Sequence, residues 1–313
     1  MIALNARAAA RPELGGVERW ARELRDRLGA RVLEPPRALA HRAGHVWEQL
    51  ALPALARGDV LVNPANLAPL AYRRNVVVIH DCAALREPSW YSPAYVRWQR
   101  LVLPRVASRA LRVVTVSGFS AREIESLLGV SPVVVPGGVD HDRFRPLAAP
   151  AAERPYVLTV ASQTARKNLG ALGETARRLS ALGVELLAVG GSRPQFFSEG
   201  DVPVRLLGHV DDADLPALYA GASAFVLPSL YEGFGLPCLE AMACGVPVVA
   251  SNRGALPEVC GDAALLVDPT RPAEIAEAVL AAIGNEDLRE RGLRRAAEFS
   301  WERTVAEIAA VIP

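Results

Sequence analysis

Two carboxylates stand eight positions apart in the run Glu232-Gly233-Phe234-Gly235-Leu236-Pro237-Cys238-Leu239-Glu240. The run follows a strand-like stretch, Ala224–Pro228, and opens a helical one, Leu236–Cys244. Gly233 and Gly235 let backbone N–H groups approach a ligand closely. A helix N-terminus adds unpaired donors and the positive end of a dipole. That combination suits a sugar hydroxyl or a phosphate. Glu232 precedes the helix and Glu240 follows eight residues later within it, so the pair can hold different parts of one extended ligand. A capping glutamate plus a surface glutamate is the plainer reading. It leaves the Gly-Phe-Gly insert and the following Ala-Met-Ala-Cys-Gly-Val-Pro without a reason.

Other residues of chemical interest also sit where strands end. Arg166-Lys167-Asn168-Leu169 follows the strand-like Tyr156–Ala161. Of 35 cationic residues, 34 are arginine and only Lys167 is lysine. A sole lysine points to a site that needs a compact ammonium rather than a planar fork. A basic surface pair is the alternative. Gly15-Gly16 follows Met1–Ala6 and opens Val17–Leu28, whose Val17, Trp20, Leu24 and Leu28 have helical spacing. His80 closes the strand-like Val76–His80. Asp211, Asp212 and Asp214 read as caps of the next helix rather than metal ligands, and no metal site is expected. The four cysteines, Cys82, Cys238, Cys244 and Cys260, form no CxxC pair and read as small buried thiols.

The elements that must position these residues alternate along the whole chain. Strand-like runs at Val60–Asn63, Val76–His80, Val113–Ser117 and Val133–Pro136 are separated by helical patterns at Trp47–Ala56, Pro93–Ala107 and Ser120–Leu128. Ser120 and Glu123 have the spacing of a capping box. Pro136–Pro155 breaks the rhythm and reads as a linker. Alternation then restarts with strands at Tyr156–Ala161, Glu185–Gly190, Val204–Leu207, Ala224–Pro228 and Val246–Ala250, and helices near Leu169–Leu182, Asp214–Gly221, Leu236–Cys244, Pro272–Ile283, Glu286–Phe299 and Trp301–Val311. Such repetition implies an α/β protein with parallel sheets covered on both faces. Two doubly wound domains facing a cleft are expected, with ligands outside the carboxyl ends of the strands. The expected domains are residues 1–148 and 149–299.

Bulk properties narrow the function classes. The 313 residues are 51% hydrophobic and 22% charged with a net charge of +1, which excludes a disordered chain. No apolar run approaches the ~18 residues of a membrane span, and the first residues lack a secretory pattern. A cytoplasmic location is the expectation. The charge is uneven. Residues 1–150 hold 21 arginines against 13 carboxylates, whereas residues 151–313 hold 14 cations against 21 carboxylates. The basic half suggests an anionic partner, a membrane surface or lipid phosphate, at the inner face of the membrane. Arginine-rich composition with solvated helix faces accounts for it equally. No nucleic-acid partner is expected, and no GxGxxG follows a strand to mark a dinucleotide enzyme.

Pro228-Ser229-Leu230-Tyr231-Glu232-Gly233-Phe234-Gly235-Leu236-Pro237, followed by Glu240-Ala241-Met242-Ala243-Cys244-Gly245-Val246-Pro247-Val248-Val249-Ala250, resembles the E-x7-E signature of glycosyltransferase family 4 almost position by position. The resemblance implies the GT-B fold of two Rossmann-like domains and a retaining, metal-independent transfer from a nucleotide-diphosphate sugar. No cofactor is implied. Glu232 would hold donor-sugar hydroxyls. The amides of Gly233, Phe234, Gly235 and Leu236 would hold sugar and phosphates, and Glu240 the ribose. Lys167 would contact the diphosphate with Arg166 assisting, because a cation there neutralises a leaving diphosphate. Where many members carry an arginine near the end of the preceding strand, this chain has Ala161-Ser162, which shifts the phosphate grip toward Lys167. Gly15 and Gly16 resemble the family's N-terminal glycine loop. His80 resembles its histidine at the reaction centre, and Gly208-His209 the loop on the nucleobase. Val116–Ser120 and Val135–Asp140 resemble family segments that read as architecture. Phe299–Thr304 resembles the start of a C-terminal helix (residues 300–313) that packs back on the first domain. Similarity to bacterial mannosyl- and rhamnosyltransferases of polysaccharide assembly favours a mannose-like sugar. The acceptor would be a glycan, a lipid-linked glycan or a small-molecule glycoside. A catalytically weak sugar-nucleotide-binding protein and a GT-B epimerase are the alternatives.

Overall fold

The computed structural model describes residues 1–11, 15–36, 44–147, 154–191 and 203–313. It divides into two compact units. One comprises Met1–Arg86, Pro93–Gly138 and Trp301–Pro313, and the other Glu87–Ser92 and Val139–Ser300. The boundary expected at 148/149 lies outside the described residues, and the division falls at Gly138/Val139.

The first unit holds six strands: β1 (Ile2–Asn5), β2 (Arg31–Leu33), β3 (Val60–Asn63), β4 (Asn75–Val78), β5 (Arg112–Thr115) and β6 (Val133–Val134). They lie in the order β2-β1-β3-β4-β5-β6, every pairing parallel. The order reverses direction between β1 and β3. All four residues of β3 and of β4 are buried, as expected of strands covered by helices on both faces. The edge strands β2 and β6 are short and mostly exposed, which limits pairing with other chains. The helix Trp301–Val311 belongs to this unit. Its Trp301 ring meets Trp20 edge-on at 6.1 Å, and Thr304 Oγ1 donates to the Pro136 carbonyl at 2.8 Å.

The second unit holds β7 (Tyr156–Val160), β8 (Glu185–Val189), β9 (Arg205–Gly208), β10 (Ala224–Leu227), β11 (Val248–Ser251) and β12 (Ala264–Val267). Their order is β12-β11-β10-β7-β8-β9, again all parallel. The first and fourth strands of the unit, β7 and β10, are neighbours. The order reverses there, which makes their carboxyl ends the switch point where doubly wound sheets bind ligands.

Local differences from the sequence reading have physical causes. Strands β2 and β12 were not expected; each is a short strand at the edge of its sheet. The helix expected at Trp47–Ala56 is two, Gly44–Leu50 and Leu52–Leu55, with Pro53 in the first turn of the second. Ser120 and Glu123 do not form a capping box. Ser117 caps the helix Gly118–Leu128 by accepting from the Ser120 amide at 3.0 Å. Glu123 instead pairs with Arg86. Asp214 precedes Leu215–Ala220 without a side-chain cap, and Asp212 pairs with Arg143 at 2.8 Å. No metal-holding group of acidic, histidine and cysteine side chains occurs among the described residues. The four cysteines are free and buried. No helix among the described residues is long and apolar enough to cross a membrane.

One backbone approach holds the inner strands in place. Gly190 follows β8 with φ of 138°, and a Cβ there would lie 2.2 Å from the Ala161 carbonyl oxygen. Backbone cannot swing aside as a flexible side chain can. Gly190→Ala is expected to lower stability by about 2 kcal/mol or more, read as a fall in the denaturant midpoint. An unchanged midpoint would mean that β8 and the segment after β7 move apart freely.

Candidate active site

The carboxyl ends of β7 and β10 each lead into a segment that supplies charge. After β7 the chain makes a short 3-10 turn, Ala165–Lys167. Asn168 then takes the left-handed conformation at φ of 56°, which asparagine tolerates better than most residues. Its side-chain amide donates to the Pro228 carbonyl at 3.1 Å and the Pro269 carbonyl at 2.8 Å. The following α-helix begins only at Gly173. Lys167 therefore sits on a pinned turn and not on the first turn of an α-helix extending from Leu169. The Arg166 carbonyl accepts from the Leu230 amide at 2.9 Å, which joins this turn to the segment after β10.

That second segment carries Glu232. Lys167 Nζ donates to Glu232 Oε1 at 2.5 Å, and Ser229 Oγ donates to the same oxygen at 2.8 Å. Arg166 Nη1 lies 3.5 Å from Glu232 Oε2 and donates to the Tyr231 carbonyl at 3.1 Å. Lys167 and Glu232 are both buried. Burial alone would raise the Glu232 pKa. The charges of Lys167 and Arg166, with the hydrogen bonds from Lys167 and Ser229, hold it below the ordinary carboxylate range. Burial lowers the Lys167 pKa, opposed by the Glu232 charge. The cluster is thus an ionised carboxylate facing two cations.

Its support comes from distant parts of the chain. Ser251 Oγ, at the end of β11, donates to the Ser229 carbonyl at 2.6 Å. The Ala255 amide donates to the Glu232 carbonyl at 3.0 Å. Gly254 has φ of 64°, and a Cβ on it would fall 2.6 Å from the Glu232 carbonyl oxygen. Gly235, at φ of 103°, precedes the helix Leu236–Ala243. Phe234 packs edge-on against Phe299 at 5.9 Å. Gly233 lies between Glu232 and this ring. Glu240, buried in the helix, accepts from the Tyr219 hydroxyl at 2.9 Å. The Tyr219 ring is itself held between Phe144 and Phe225.

Gly208 closes β9 at φ of 71°, and His209 is exposed beside Asp211 at 3.8 Å. The remaining sequence-derived residues lie in the first unit. Gly15 precedes the helix Gly16–Arg27, and its amide donates to Glu18 Oε2 at 3.1 Å. His80 is buried. Its Nε2 pairs with the Pro64 carbonyl at 2.7 Å, which makes Nε2 the protonated nitrogen. Asn66 Oδ1 accepts from the His80 amide, and Ser120 Oγ donates to the His80 carbonyl. Burial lowers its pKa, so the ring is neutral at pH 7. Sequence reading missed Ser229, Tyr219, Asn168 and Gly254 as supports. Ser229 lay within the quoted run, three residues before Glu232. Tyr219 and Gly254 carry no local signal, because only packing brings them to the glutamates.

The relation of this chain to known proteins agrees with this geometry. A family model described as "Glycosyl transferases group 1" matches residues 154–285, and one described as "Glycosyltransferase Family 4" matches residues 59–143. The O-antigen chain mannosyltransferase B of Escherichia coli is 35% identical over 273 residues, 78% of this chain and 71% of that protein. An MMP alpha-(1->4)-mannosyltransferase of Mycolicibacterium hassiacum is 37% identical over 71% of this chain, which spans only 59% of that protein. The sucrose-phosphate synthase of Thermosynechococcus elongatus superposes with a TM-score of 0.78 at 20% identity, covering 99% of this chain and 97% of that one, a likeness of fold. With two doubly wound parallel sheets of the GT-B class and these sequence relations, the chain belongs to the family 4 glycosyltransferases.

Proposed function

We propose that the chain transfers a hexose, mannose or a mannose-like sugar, from a nucleoside-diphosphate donor to an acceptor hydroxyl with retention of configuration. The observation that carries this reading is the Lys167–Glu232–Arg166 cluster at the switch point of the second sheet. The names of the two mannosyltransferase relatives support the choice of sugar.

In this reading the donor diphosphate takes Lys167 and Arg166 as counter-ions, and the Gly233–Leu236 backbone lines the sugar and phosphates. Glu232, released from Lys167, accepts from sugar hydroxyls. Glu240 accepts from the ribose. The bond from the anomeric carbon to the diphosphate oxygen breaks, and the acceptor oxygen bonds to the same face of that carbon. The acceptor proton passes to the departing phosphate. The two cations stabilise the charge that develops on the leaving group, which is electrostatic catalysis by preorganised groups.

Three measurements test this reading. Lys167→Ala is expected to lower kcat/KM by about 10²-fold or more, the scale of losing one preorganised donor. An unchanged value in steady-state assays would remove Lys167 from the diphosphate.

Glu232→Gln leaves the Lys167 ammonium buried without its carboxylate and is expected to cost about 3–5 kcal/mol of stability. Adding Lys167→Met should recover most of the loss in denaturant titrations. The Glu232 pKa is depressed in the folded protein, so its stabilisation is present above about pH 4.3 and is lost as pH falls through the lower folded value. The double variant should lack that acid limb. An acid limb identical to that of the parent would assign it elsewhere.

Glu240→Ala is expected to weaken nucleoside-diphosphate binding in calorimetry. Tyr219→Phe removes only the hydroxyl that orients Glu240. It should narrow the preference for a ribonucleoside over a 2′,3′-dideoxyribonucleoside diphosphate. Equal preference in parent and variant would free Glu240 of the ribose.

A further inference from the structure

The first unit presents one helix whose arginines have no carboxylate partner among the described residues. Pro93–Arg109 contains Arg97, Arg100, Arg105 and Arg109 and no aspartate or glutamate. All four arginines are exposed, and none forms an ion pair among the described residues. A helix of the second unit behaves otherwise. On the helix Glu286–Ala296, Arg289, Arg291, Arg294 and Arg295 each have a carboxylate within 4 Å. Exposed arginines elsewhere in the first unit, such as Arg57 and Arg122, also lack an ion pair among the described residues, but Pro93–Arg109 gathers four on one helix that has no acidic residue.

The same face carries apolar side chains where water would favour polar ones. Trp98 is 37% and Leu101 is 52% exposed. At about 100° per residue, Arg97, Leu101, Arg105, Trp98 and Arg109 fall within one outward arc. The buried Val96, Gln99, Val102, Leu103, Val106 and Ala107 fill the opposite arc. The Trp98 ring is steadied by His45, edge-on at 5.8 Å. A tryptophan and a leucine flanked by cations, with no acidic residue on the helix, make a mixed cationic and apolar surface suited to an anionic interface. Their apolar groups enter the boundary between headgroups and acyl chains while the guanidinium groups meet lipid phosphates.

We infer that the outward face of Pro93–Arg109 docks the protein on an anionic phospholipid bilayer. This inference stands apart from the transfer chemistry, since it uses no residue of the Lys167–Glu232 cluster. It also gives the excess positive charge of residues 1–150 a location.

Vesicle co-sedimentation of the intact chain tests it, with phosphatidylcholine vesicles set against vesicles that also contain phosphatidylglycerol. The parent should bind the anionic vesicles alone and be released by salt. Arg97→Gln/Arg100→Gln/Arg105→Gln should weaken partitioning on the order of 10²-fold. Trp98→Ala/Leu101→Ser should weaken it while leaving the salt dependence in place. The matched control is Arg177→Gln/Arg294→Gln/Arg303→Gln, which removes the same charge from exposed arginines that have carboxylate partners. It should bind as the parent does. Equal losses in both triple variants would reduce the effect to net charge and overturn the inference. Failure of the parent to bind anionic vesicles would overturn it as well. So would binding to single-stranded DNA that depends on the same arginines while vesicles are ignored. Unaltered melting temperature and nucleotide affinity in the helix variants would show that folding and the second unit are intact.

Discussion

Glu232 Oε1 accepts from both Lys167 Nζ and Ser229 Oγ, and much of the second unit is arranged around that shared oxygen. A buried ammonium beside a buried carboxylate is tolerable only when geometry and further hydrogen bonds offset the desolvation of both ions. The offset is spread over several elements. Asn168 pins the turn that carries Lys167, Ser251 ties down the Ser229 backbone, and the Gly254–Ala255 segment packs under the Glu232 backbone. The cost of the pair also has a use. In the proposed reading, the cation held against the carboxylate exchanges one anion for another when the donor phosphate binds.

Topology explains why these groups meet. The Lys167 turn and the Glu232 segment are separated by 65 positions. They are neighbours because β7 and β10 pair directly while the intervening chain runs out to β8 and β9. The segments after β7 and β10 therefore leave the sheet side by side at the switch point, close enough for the Arg166 carbonyl to accept from the Leu230 amide. The first unit repeats the principle with a different strand order, reversing between β1 and β3. His80 follows its interior strand β4, and the hydrogen bonds of His80 to Pro64, Asn66 and Ser120 fix the residue in place.

Much of this was legible in the amino acids. Alternating apolar runs and helical periodicities set the α/β class, because strands covered on both faces must be apolar throughout. The Glu232–Glu240 run carried the family, and the sole lysine marked its partner. The supports were not legible. Tyr219 reaches Glu240 across 21 positions, and nothing near Tyr219 signals a site. The capping box at Ser120 failed because two serines competed for one helix start, and Ser120 Oγ is engaged by the His80 carbonyl. The helix expected at Leu169–Leu182 does start at Leu169, but its first turn, Leu169–Leu172, is 3-10 and the α-helix runs over Gly173–Ala181.

The sequence by itself determined the chemistry: which residues carry charge, which glycines allow close approach, and which family the signature belongs to. Those are properties of residue type and spacing, which survive without coordinates. Tertiary structure decided how that charge is disposed. It placed Lys167 on Glu232 and not in solvent, gave Glu240 its tyrosine, and left four arginines of one helix without carboxylates while pairing those of another. Pairing depends on what lies across a sheet or a helix face, and distance along the chain does not encode it.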